Sequence, residues 1–243
     1  MKIETYDFFS RQIPYLGVKK QEKLGKAKAV VVGAGGLGSH VSEMLIRMGF
    51  GYVRVIDRDL VDETNLHRTS LYTREDIGKS KVFVISEKLK DLNPETRIEG
   101  ITETLHIYNA EKLVSDFDVV LDCTDNMETR YAINRFCIKN KIPWIYGAVL
   151  RDEGFSSTFS PEGRPCFACL YPEMPRTMET CAQVGVIPTI IGIIASWQVT
   201  EALKIVTGLG KIRYGQLFHV SLERPLFEFL KIKPREDCEV CRA

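Results

Sequence analysis

The chain has 243 residues, 44% hydrophobic and 27% charged, which is enough apolar content for a substantial core. Its 33 lysines and arginines against 32 acids leave a formal charge of +1, so no whole-molecule field points to nucleic acid or an anionic membrane as a partner. Any functional cations must be local.

The opening residues, MKIETYDFFSRQIPYLG, carry Glu4 and Asp7 and lack the continuous apolar run of an export signal, so a cytoplasmic protein is expected. Alternation of strand-like and helix-like segments follows. Residues 28–32, 52–57, 118–122 and 142–149 are short and rich in β-branched or apolar residues, as strands buried on both faces should be. Between them, 37–48, 79–92 and 126–140 have helical lengths and mixed faces. The pattern predicts an α/β, Rossmann-type, doubly wound and mostly parallel sheet. After about residue 150, FSSTFS and the stretches near 213–220 and 225–230 read as strands without crossover helices, hence an antiparallel C-terminal extension. One long helix interrupts them, with Pro188 in its first turn and Gly208 at its end. The uncharged run from Thr180 to Thr200 contains Gln183, Pro188, Ser196 and Gln198, which favours a core or subunit-interface helix over a membrane span. No repeat or linker divides the chain, so one domain is expected.

Val30–Val32 runs into Gly33-Ala34-Gly35-Gly36-Leu37-Gly38, a GxGxxG that opens a helix directly after a strand. Glycines let the backbone approach phosphates, and the helix N–H groups and dipole favour the anion. The next strand ends at Asp57, where an acid would accept hydrogen bonds from a ribose hydroxyl. An adenosine-containing ligand is expected; the loop by itself does not separate NAD from ATP, and Asp57 has an alternative as a solvated loop acid.

Seven cysteines in a reducing compartment are poor candidates for structural disulfides. Cys166-x-x-Cys169 and Cys238-x-x-Cys241 fit tetrahedral Zn²⁺ with every position filled, the alternative being a redox pair. Cys123 and Cys137 read as small buried residues, and His40, His67, His106 and His219 share no ligand spacing.

Downstream of Asp57 come DRDLVDETNLHR, DIGKSKV and LDCTDNMETR. Together with GAGGLG and the SRQI at Ser10–Ile13, these segments resemble the ThiF/MoeB/HesA family, relatives of the ubiquitin-activating enzymes, over nearly the whole chain. The resemblance implies adenylation by ATP of the C-terminal Gly-Gly tail of a small ubiquitin-like sulfur-carrier protein. It implies that the glycine loop and Asp57 hold adenosine, that Asn65, Arg68 and Lys81 hold phosphates, and that Asp125 serves Mg²⁺. It implies a homodimer in which Arg11 reaches the neighbouring subunit's nucleotide, and a structural zinc on the four paired cysteines. Cys181 matches a cysteine that forms a covalent link to the carrier in some members and is dispensable in others. His67 and Thr69 depart from the glutamines frequent at those positions.

Within one domain over 1–243, the resemblance divides the chain into an N-terminal helical arm (1–26), a nucleotide-binding part (27–150) and a carrier-binding and zinc part (151–243). With no appended rhodanese domain expected, the sulfur donor should be a separate cysteine desulfurase or rhodanese. The residue types suit the chemistry independently. An α-carboxylate with a pKa of about 3.3–3.7 is ionised at neutral pH and needs no general base; the obstacle is repulsion between anions, which Arg, Lys and Mg²⁺ relieve. Taken singly, Arg68 and Lys81 have the alternative of solvated surface cations, and Asp125 that of a helix cap. An NAD-dependent oxidoreductase and a non-catalytic carrier-binding scaffold are the competing readings; Arg68, Lys81 and the absence of an evident proton-transfer residue disfavour the first, and intact Arg11, Arg68, Lys81 and Asp125 the second.

Overall fold

The structure, a computed structural model, describes residues 7–173, 181–224 and 226–242, and of Cys181 and Ala182 the backbone alone. Two short helices, α1 (Ile13–Leu16) and α2 (Val18–Leu24), precede the sheet. The first strand is β1 (Lys28–Val32), and its alternate residues serve opposite faces: Ala29 and Val31 enter one core, Val30 and Val32 the other. A strand apolar on both faces can sit only in the middle of a layered sheet, and β1 does.

The eight strands run in the order β3-β2-β1-β4-β5-β6-β7-β8. β2 (Tyr52–Ile56), β3 (Arg97–Ile101), β4 (Val119–Asp122) and β5 (Trp144–Leu150) join β1 in parallel pairings. β6 (Glu153–Phe159), β7 (Gln216–Ser221) and β8 (Leu226–Lys231) extend the sheet antiparallel, as the sequence pattern predicts. β5 begins at Trp144 rather than 142, directly after Pro143, which has no N–H for the ladder. β3 and a short helix, α5 (Ala110–Val114), lie where the pattern predicts no element: β3 is a half-buried edge strand, so its alternation is blurred.

α3 (Gly36–Met48), α4 (Lys81–Lys90) and α9 (Pro188–Thr207) cover one face; α5, α6 (Met127–Asn140) and the single turn α7 (Phe167–Leu170) cover the other. A short α8 (Cys181–Val184) precedes α9. α4 is shorter than the predicted 79–92 because Gly78 turns the chain at φ 84° just ahead of it. In α9, Pro188 occupies the first turn and Gly208 caps the end at φ 71°. This helix is long and apolar enough to cross a membrane, yet it packs on β5, β6 and α3. Its Glu201 is fully buried, accepting from Thr158 Oγ1 (3.0 Å) and Lys204 Nζ (2.6 Å), so α9 is a core helix here.

The strand order reverses between β1 and β4, both paired with their neighbours in parallel. Their two following loops diverge to opposite faces and leave a crevice at the carboxyl ends, where α/β sheets bind ligands.

Candidate active site

A cavity of about 370 Å³ fills that crevice. Gly33, Gly35, Gly36, Asp57, Asn65, Arg68, Lys81 and Asp125 all line it, gathered from four separate stretches of sequence. Gly38 does not; it lies beneath the turn, where a Cβ would come within 1.8 Å of the Gly33 carbonyl oxygen. Gly33 itself holds φ +95°, and a Cβ there would stand 2.7 Å from the Cys123 carbonyl oxygen, so the two loops at the reversal approach too closely for a side chain at this position. Arg11 is exposed and outside the cavity lining of its own chain.

Asp57 is no solvated loop acid. Its Oδ2 accepts the Ala34 N–H at 2.6 Å and its Oδ1 the Asp59 N–H at 2.7 Å, which ties the end of β2 to the glycine turn. Tyr72 braces the same turn by donating its hydroxyl to the Ala34 carbonyl (2.6 Å), and burial pushes that hydroxyl's pKa up.

Asn65 and Arg68 share a 3-10 segment, Glu63–Arg68, started by Asp62: Oδ1 of Asp62 accepts from Thr64 N at 2.8 Å, and Asp62 N donates to Asn65 Oδ1 at 3.4 Å. Arg68 Nη1 donates to the Thr64 carbonyl, and its stem lies against Gly36. The departures at 67 and 69 brace this segment from within: His67 Nδ1 lies 3.0 Å from the Thr64 carbonyl oxygen, and Thr69 Oγ1 donates to the Asn65 carbonyl at 3.1 Å. Neither lines the cavity.

Lys81 is the first residue of α4, a cation at the positive end of a helix, which costs about 0.3–1 kcal/mol unless something offsets it. Asp59 does: its Oδ2 is 3.1 Å from Nζ, and its carbonyl accepts the Lys81 N–H at 3.1 Å. Asp59 and Arg58 both line the cavity.

The 122–126 loop is organised around a buried ion pair that sequence pattern does not reveal. Asp122, fully buried, receives Arg130 Nε at 3.1 Å, Thr124 N at 3.0 Å and Thr124 Oγ1 at 2.7 Å. Burial pushes the Asp122 carboxyl up against the lowering pull of Arg130 and Thr124. The helix cap is Asn126, whose Oδ1 accepts from Thr129 N at 2.9 Å, so Asp125 is not the cap. Among the described residues Asp125 has no hydrogen-bond or ion-pair partner, and its carboxylate is available to the cavity. Burial, reinforced by the charge of Asp122, raises the pKa of the neighbouring Cys123 thiol well above the usual range, consistent with an inert core cysteine.

The four paired cysteines, contributed by the loop after β6 and the segment after β8, bring all their sulfurs within 4.8 Å of one another. Cys166 and Cys238 Sγ are 3.7 Å apart, Cys169 and Cys241 Sγ 3.5 Å. Sulfurs at ~2.3 Å from a tetrahedral ion lie ~3.8 Å apart, so the cluster fits such an ion, and among the described residues the group holds no carboxylate or imidazole. Arg235 N–H points at Cys169 Sγ (3.5 Å), and Asn134 Oδ1 anchors the Phe167 N–H (3.1 Å) inside the first pair. Cys181 opens α8, and its side chain lies outside the described residues.

The chain is 36% identical over 247 residues to the sulfur carrier protein adenylyltransferase of Thermus thermophilus, covering 98% of this chain and 91% of that protein. It is 34% identical over 239 residues to the SAMP-activating enzyme E1 of Haloferax volcanii (97% and 88% covered). It is 37% identical over 238 residues to the adenylyltransferase and sulfurtransferase MOCS3 of Anopheles gambiae, of which it spans about half, 54%. In fold it superposes on E. coli MccB, crystallised with MccA-N7isoASN, with a TM-score of 0.88 at 21% identity, covering 98% of this chain and 75% of that one. Residues 9–240 match the ThiF family, and the chain belongs to it.

Proposed function

We propose that this protein adenylates the C-terminal glycine carboxylate of a small ubiquitin-like sulfur carrier at the expense of ATP, releasing pyrophosphate ahead of sulfur transfer. The observation that carries this reading is the convergence of Arg68, Lys81 and the unpartnered Asp125 on the mouth of the glycine turn. The turn and Asp57 take the adenosine and its first phosphate. Arg68 and Lys81 oppose the charge that grows on departing pyrophosphate, and the carboxylate attacks without a general base. Mg²⁺, when bound, would supply further charge neutralisation, and this reading gives it to Asp125, which has no partner among the described residues.

Ala148 of the cavity lining is in register with Phe155, and Phe155 with His219, whose ring stacks on it at 4.6 Å. That row gives an extended Gly-Gly tail a flat path out of the cavity across the antiparallel strands. The same reading takes in a homodimer whose Arg11 completes the partner's pocket, a structural Zn²⁺ on Cys166, Cys169, Cys238 and Cys241, a separate sulfur donor, a cytoplasmic setting and one domain throughout. The similarity to sulfur carrier protein adenylyltransferase and SAMP-activating enzyme E1 supports the substrate class.

The test is pyrophosphate exchange into ATP with purified β-grasp carriers ending in Gly-Gly. Carrier-dependent exchange is expected; its absence across carriers of molybdopterin, thiazole and tRNA-thiolation type would remove the assignment.

A further inference from the structure

The loop that carries Asp125 is held by two polar side chains from neighbouring helices, Gln198, which does not line the cavity, and Arg130, which does. Gln198, on α9, is fully buried; its Nε2 donates to the Asp122 carbonyl (2.8 Å) and the Ile145 carbonyl (3.3 Å), and its Oε1 lies 3.7 Å from Cys123 Sγ. Arg130, from α6 on the opposite face, pairs with the Asp122 carboxylate, donates Nη2 to the Thr124 carbonyl and to the Gly147 carbonyl (3.4 Å), and stacks its guanidinium 5.0 Å from the Tyr146 ring centre. Gly147 leaves the room: a Cβ there would stand 2.6 Å from the Gln198 amide. Two helices on opposite sides of the sheet thus clamp the single peptide run Asp122–Thr124, immediately ahead of Asp125. The clamp adds to the local bonds of the run, from Thr124 N and Oγ1 to the Asp122 carboxylate and from Cys123 N to the Val32 carbonyl.

We infer that Arg130 and Gln198 are positioning residues whose joint grip on Asp122–Thr124 sets the orientation of the Asp125 carboxylate, and thereby the strength of magnesium-dependent nucleotide binding. This inference rests on the assignment of Asp125 to Mg²⁺ in the proposed function. Gln198 also links two parts of the site: Ile191, seven residues earlier and two turns along the same helix face, lines the cavity. α9 therefore carries the register of the cavity wall to the metal-facing loop as one rigid body.

Gln198→Met keeps the side chain's volume and removes its polar contacts. The dissociation constants of Mg·ATP, and of AMP in the presence of EDTA, are measured calorimetrically on the wild type and the variant, with melting temperatures alongside. The inference expects Mg·ATP affinity to fall ~10-fold while AMP affinity stays within ~2-fold. Equal loss for both ligands would mark a purely structural role and overturn it, as would no loss for either. Arg130→Lys, which retains the charge but not the planar fork, gives the same readout should Gln198→Met not fold. A wild type that binds ATP equally with and without Mg²⁺ would instead remove the metal role of Asp125, and the inference with it.

Discussion

Asp76→Asn isolates one charge that holds the approach to Lys81. Asp76 is 5% exposed; its Oδ2 accepts from Thr73 N (2.9 Å), Thr73 Oγ1 (3.0 Å) and Lys88 Nζ, and its Oδ1 from Lys79 Nζ (3.4 Å). Burial alone would raise this carboxyl, but the Lys88 ammonium and the Thr73 hydrogen bonds outweigh it and hold the pKa at about 2. Against an unfolded value of about 3.9 that is an upper limit of ~2.6 kcal/mol; because the lysines reach solvent, ~1–2 kcal/mol is the expected contribution. In a chain of this length that corresponds to ~2–8 °C in melting temperature. The sign follows from a depressed folded pKa: the stabilisation is complete above the unfolded pKa and drains away as pH falls through the folded one. Urea midpoints of wild type and Asp76→Asn should therefore differ by a constant amount from pH 7 to ~5. The difference should then shrink below pH ~4, to about half by pH ~3. A gap that persists undiminished at pH 3 would mean that shape, not charge, holds the Thr73–Lys88 staple, and the electrostatic reasoning would be wrong.

Two further outcomes test the site and the cysteine cluster. Lys81→Met leaves Asp59, which is 58% exposed at its side chain, to water, so the melting temperature should hardly move, whereas carrier-dependent exchange should drop ~10²–10³-fold; a large loss of stability with little loss of exchange would recast Lys81 as a structural cation. Metal analysis should find one zinc per chain, and Cys238→Ser should lower both zinc content and melting temperature without altering AMP affinity in the folded fraction; full stability after zinc removal would leave the cluster without a structural role.

Local chemistry was legible in the sequence, and tertiary pairing was not. GAGGLG, Asp57 and the two C-x-x-C pairs carry their meaning in spacing, and the cavity contains the glycine loop and Asp57 just as the cysteine sulfurs meet across the fold. The strand 28–32 was readable because burial on both faces leaves the unbroken apolar run Ala29–Val32, and 52–57 because Val53, Val55 and Ile56 keep it β-branched around the half-buried Arg54. β3, RIEGI, is half exposed at the sheet edge and carries a glycine, so no period survives in it. Arg130 and Gln198 escaped because each looks like an ordinary polar residue on a helix; only the fold shows that they face inward and reach Asp122, eight residues from one and 76 from the other. Asp59 was hidden in the same way, since its partner Lys81 lies 22 residues on. A sequence signal for such groups would be a polar residue on an otherwise apolar helical stripe, which is how Gln198 sits within IIGIIASWQV.

The two halves of the cysteine cluster stand 72 residues apart. At a synthesis rate of ~5–20 residues per second, the second pair leaves the ribosome roughly 4–14 s after the first. During that interval the residues of the five parallel strands have all been synthesised, while Cys166 and Cys169 lack their partners. An ion on all four sulfurs could therefore be captured only after Cys241 has emerged, so the cluster would close after every strand of the sheet has been synthesised.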